Sequence, residues 1–184
     1  MVSTTHSARF PALPGFYEFF FVFYEPLATF SPVFFYFIWP GKYALYDMPQ
    51  LELLPSTNSL DSRAEMALYQ MVNCHFLVVL FVSFVFQAAR KNLADNPRAQ
   101  ESVVGAVLFA LAIVDVTHLL GMHFAVIPEQ NRFSPQAWGS TIWISDSMVL
   151  LDFFVRLVWF GGIGRTRYYY GQSDLATKKA AKGE

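Results

Sequence analysis

Four stretches of the chain are almost unbroken in apolar residues, each about as long as a bilayer is thick. They run from about 16 to 38, 66 to 87, 103 to 127 and 141 to 163. Each is continuous, without the ten-residue alternation of apolar and polar positions that marks a barrel strand. Backbone groups in lipid must find partners within their own segment, so these runs predict helices. Polar connectors containing proline separate them: Trp39 to Glu65, then ARKNLADNPRAQ, then PEQNRFSPQAW. The pattern predicts an all-α, integral-membrane four-helix bundle over 16–165. An N-terminal tail (1–15) precedes it and a polar, solvated C-terminal tail (166–184) follows it. Pro26 and Pro32 fall inside the first span, where each removes a helical hydrogen bond and can kink the helix. Trp39, Trp138 and Tyr168 to Tyr170 lie at span ends, the usual place for interfacial aromatics.

Composition strengthens the membrane reading. Of 184 residues, 54% are hydrophobic and only 15% charged, and there are twenty phenylalanines. A soluble domain carries nearer a quarter charged, and a core this small cannot hide so many rings. A net charge of −1 gives no basic footprint, so nucleic acid is not an expected partner. The single cysteine, Cys74, rules out an intrachain disulfide. The first fifteen residues lack the basic and apolar regions of a cleavable signal, so the first span is expected to act as the signal. With four spans, nine basic residues fall on the side of both termini and the second connector. Three, Lys42, Arg63 and Arg132, fall on the other side. That bias places both termini in the cytosol, and the endoplasmic reticulum is the expected membrane.

The spans are not uniformly apolar. Glu18 and Glu25 lie in the first, Asn73 and His75 in the second, Asp115 and His118 in the third, and Asp146, Asp152 and Arg156 in the fourth. Ionisable residues at depth are costly and normally face a partner or a task. Counted at 1.5 Å per residue, Glu25, Asp115 and Asp152 lie about 14–18 Å from the cytosolic edge, and His75 and His118 about 20–22 Å. A polar layer near the midplane is therefore expected. Asp115 and His118 stand three residues apart on one helical face, and Asp152 and Arg156 have the spacing of an intrahelical ion pair. A buried carboxyl beside an imidazole is an acid–base candidate. Asn73 reads as a helix–helix contact, and His123 as an interfacial residue outside the layer. No HxxxH, ExxH or HExxH spacing occurs and there is no phosphate loop, so neither a metal nor a cofactor is expected.

The stretches FYEFFFVFYEPLATF, IVDVTHLLGMH and LDFFVRLVWFGGIGR resemble an uncharacterised fungal family of small four-span membrane proteins, a domain of unknown function. The resemblance covers about Leu13 to Arg165. More loosely, size and buried acids resemble the small membrane-bound terpene cyclases of fungal meroterpenoid pathways. They also resemble the sterol-isomerase and sigma-2-receptor group. Those resemblances imply a greasy isoprenoid or sterol ligand between helices and protonation of an alkene or epoxide by a buried acid.

The expected function is that of a cyclase or isomerase acting on a prenylated, lipophilic intermediate drawn from the bilayer. Asp115 is the expected general acid and His118 its partner. Glu25, Asp146 and Asp152 would stabilise charge or relay the proton, and Arg156, His75 and Asn73 would contact substrate. The alternatives are a non-enzymatic sterol- or lipid-binding protein and a proton-coupled transporter, which would require an oligomer because no inverted repeat is present.

Overall fold

The computed structural model describes residues 10–47 and 61–170. Expectations for the first nine residues, for 48–60 and for the tail from 171 onward fall outside that range. All regular structure among the described residues is helical: α1 (Phe16–Ile38), α2 (Pro40–Asp47), α3 (Ser62–Asn92), α4 (Pro97–Gly121) and α5 (Ser140–Phe160). A π-helical turn, Met122–Val126, extends α4. Three helices are long and apolar enough to cross a membrane: α1, α3 and α4 with its extension. The fourth expected span, α5, has 21 residues but carries Asp146, Asp152 and Arg156. Both α3, at 31 residues, and α4 begin several residues earlier than hydropathy alone places them. At α4 the reason is local: Asn96 caps the helix by accepting from the Ala99 N–H at 3.0 Å, and Pro97 occupies the first turn, where its missing N–H costs nothing.

The prolines of α1 leave distinct marks. Phe20–Tyr24 form a π turn just ahead of Pro26, and the Glu25 N–H reaches back to the Phe20 carbonyl. The wider turn makes room for a ring that would otherwise crowd the carbonyl four residues back. Pro32 deprives the Ala28 carbonyl of its helical partner, and the Ser31 hydroxyl donates to that same oxygen at 2.8 Å.

The described residues fall into two compact units, one drawn from 1–18 and 86–184 and the other from 19–85. The core of the second unit is Val33, Tyr36, Tyr43, Ala44, Leu68 and Val72. Two of these come from α2, a stretch hydropathy assigns to a polar connector. Tyr43 and Ala44 are adjacent and both buried, so the short helix presents one apolar side to α1 and α3. In the first unit α4 packs on α5. The N-terminal strand of chain at Phe10–Leu13 is buried with them.

Candidate functional site

The first unit holds two polar centres. One lies between α4 and α5. Asp115 is 8% exposed and Arg156 only 2%, and the Arg156 guanidinium donates to the Asp115 carboxylate in a short ion pair. The i, i+4 spacing of Asp152 and Arg156 predicts an intrahelical pair. The guanidinium nonetheless bonds across to Asp115 on the neighbouring helix. Asp152 stays within electrostatic reach of both Asp115 and Arg156. One Asp152 carboxyl oxygen, Oδ1, is buried and has no hydrogen-bond partner. Two carboxyls therefore share the neighbourhood of one guanidinium.

Asp115 pairs with Arg156, and its expected partner His118 meets Ser145. One turn beyond buried Asp115, His118 is exposed, and its Nε2 lies 3.2 Å from the Ser145 hydroxyl of α5. The adjacent Asp146 lies within electrostatic reach of His118 and His123, and its Oδ1 is buried without a hydrogen bond. The His123 ring packs edge-on against Phe124, Phe133 and Trp138, with centroids 5.0, 5.8 and 6.0 Å away.

Glu25, Asn73 and His75 belong to the other unit. Glu25 is buried, Asn73 is exposed, and the His75 Nδ1–H donates to the Met71 carbonyl at 2.9 Å, one helical turn back. Glu18, in the first unit, pairs with Arg90 at 2.8 Å. Among the described residues no group of three or more His, Cys, Asp or Glu is placed to hold a metal ion.

The second polar centre is one that sequence reasoning missed. At the start of α4, Glu101 and the side chain of Arg165 are fully buried and joined at 2.6 Å. The other Glu101 oxygen accepts the backbone N–H groups of Tyr168 and Tyr169, the latter at 2.6 Å. The Arg165 Nε donates to the Trp159 carbonyl at 2.9 Å, and the guanidinium stacks 3.8 Å above the Trp159 ring. Gln100 beside it is fully buried. Its Oε1 accepts the Ala12 N–H at 3.0 Å, and the Trp159 indole donates to the Ala12 carbonyl at 2.8 Å. One helix start thus fastens both the N-terminal strap and the chain that leaves α5. A cavity of about 400 Å³ lies beside this clasp, lined by Pro11, Pro14, Gly164, Arg165, Thr166 and Tyr168. The Arg165 charge is already met by Glu101, so the cavity offers little net charge to a ligand. A sequence signal existed: Glu101 and Arg165 carry opposite signs at the same edge of the third and fourth apolar runs.

These features define a class, a small protein, helical over its described residues, with helices fit to cross a membrane and two buried ion pairs. The chain belongs to the family described as Domain of unknown function (DUF7704), whose pattern matches residues 10–166. That span takes in Asp115, Asp152 and Arg156 as well as the Glu101–Arg165 pair. No curated protein and no solved structure matches the chain.

Proposed function

We propose that the chain is an integral-membrane enzyme that moves a proton onto a prenylated, lipophilic intermediate, as a cyclase or isomerase. The observation that carries this reading is the grouping of Asp115, Asp152 and Arg156 between α4 and α5. A buried ion pair is a poor device for stability alone, since desolvating two charges can cost more than their attraction returns. Inside an apolar bundle such a group marks a task more often than a staple. The donor in this reading is Asp152 rather than Asp115. Asp115 accepts from Arg156, and a carboxylate so engaged has no proton to give. Among these three groups a proton on Asp152 also balances the charge. The Asp152 carboxylic acid would protonate a substrate alkene at its less substituted carbon. The resulting cation would close on an internal π bond or hydroxyl and lose a proton to water or His118. Phenylalanine faces suit such a cation.

General acids of this kind contribute about a hundredfold or more to rate. Membranes carrying Asp152→Asn should therefore form product from prenylated phenols at least about a hundredfold more slowly than wild type, at equal protein level. Wild-type turnover by Asp152→Asn would contradict the assignment. Saturable ligand uptake by the wild type with no product at all would favour the sterol- or lipid-binding alternative.

The membrane arrangement in this proposal has α5 as a fourth span, both termini in the cytosol and residence in the endoplasmic reticulum. The support is the distribution of Lys and Arg, nine against three. In sealed microsomes a C-terminal tag should be digested by added protease; a protected tag would overturn the orientation.

A further inference from the structure

We propose that the connector between α4 and α5 is an anchor in the headgroup region of the bilayer, with Phe133 as its inserted side chain. The inference rests on the membrane reading of α4. Phe133 is 87% exposed, more than any other large hydrophobic residue described. It does not stand alone. Its ring packs on His123, which also meets Phe124 and Trp138, and Trp138 tilts against Trp143 at 5.3 Å. Phe124 and Trp143 are themselves exposed, so the connector shows an aromatic surface and not one stray ring.

Several polar groups of this segment find partners within it. The Trp138 indole donates to the Asn131 carbonyl at 3.0 Å and the Trp143 indole to the Pro135 carbonyl at 3.2 Å. Backbone bonds close the turns at Asn131, Ser134 and Trp138, at 2.8, 3.0 and 3.1 Å. Arg132 donates to the Phe124 carbonyl at 2.8 Å, and its guanidinium lies 5.5 Å from the Phe124 ring centroid. A non-helical segment survives at the edge of hydrocarbon only when its backbone is satisfied in this way. Aromatic rings with a cation beside them are the usual furniture of that layer. Continuity decides the occupant: the segment emerges directly from Pro97–Ala125, the most apolar of the three membrane-competent helices. A headgroup layer meets that end without any further partner.

The test is a nitroxide depth measurement on the full chain in phosphatidylcholine vesicles. A spin label is placed at Phe133→Cys, with Cys74→Ser to remove the native thiol and Gln130→Cys as an exposed polar control. The label at 133 should be more accessible to oxygen than to a water-soluble nickel chelate, at a depth of about 5–10 Å. The label at 130 should show the reverse preference. Greater nickel than oxygen access at 133 would place the ring in water and overturn the anchor. Low access to both would mean that protein covers it, a second copy included, and would overturn it equally. Extraction of the unlabelled chain by alkaline carbonate separates the two ideas. A chain that washes off the vesicles sinks the membrane reading itself, whereas a retained chain with a water-exposed label sinks only the anchor.

Discussion

At the scale of single residues, the local chemistry is specific enough to test. Arg156 and Asp115 sit on different helices, both nearly fully buried. Removing one partner strands the other's charge, a loss of about 3–5 kcal/mol in comparable pairs. Asp115→Leu and Arg156→Met should each lower thermal stability in detergent to that extent. The double variant should cost less than the two losses added, by about 0.5–3 kcal/mol in a double-mutant cycle. Strict additivity would show that the pair does not interact. Gly162 gives a second case. Its φ is +73°, and a Cβ there would come within 2.0 Å of the Arg167 Nε. The Arg167 guanidinium donates to the Gly161 carbonyl, so this turn is held by the side chain that an alanine would displace. Gly162→Ala should destabilise by about 1–2 kcal/mol from the left-handed backbone alone. An unchanged melting temperature would contradict the turn as described.

At the scale of elements, the clasp at the start of α4 makes a different kind of prediction. Glu101 holds Arg165 and two backbone N–H groups with one buried carboxylate. The following Tyr170 ring packs where a Cβ at Gly105 would otherwise project, and burial pushes its phenol above the ordinary tyrosine value. Glu101→Gln keeps the shape but replaces an ionic acceptor with a neutral amide, leaving the buried Arg165 poorly met. Hydrogen exchange over 161–170 should then rise well above its rise in α3; equal rates in mutant and wild type would rule out the clasp as the fastener. The same elements show what the sequence made legible. The long helices were readable because unbroken hydrophobicity has few other solutions. The short helix α2 was hidden because proline, glycine and charged residues surround a single apolar face, which only its packing on Leu68 and Val72 reveals. Asp115 and Arg156 both stand out in the sequence as costly. Their pairing does not, because spacing along one helix ranks intrahelical partners and is silent on which neighbour a helix meets. Glu101 was overlooked for a related reason: at the edge of an apolar run a carboxylate looks solvated, and only the returning chain buries it.

At the scale of the whole molecule, three membrane-competent helices, a family match over 10–166 and a cluster of buried charge between α4 and α5 occur together. Helix α5 is the element on which the proposed function turns, because it carries Asp152 and Arg156 and yet is not among the three membrane-competent helices. Its ionisable residues weaken its own hydrophobic signal, and the pairing of Arg156 with Asp115 is what makes the burial of that charge tolerable. The most direct measurement of the central claim, proton transfer from this cluster, is solvent-deuterium incorporation. Membranes containing the chain are incubated in D2O with prenylated phenols, and products are read by mass spectrometry. The account predicts a cyclised or isomerised product with one carbon-bound deuteron from wild-type membranes, and loss of that product from Asp152→Asn membranes. Bound but unchanged substrate with the wild type, or the same labelled product from Asp152→Asn, would contradict it.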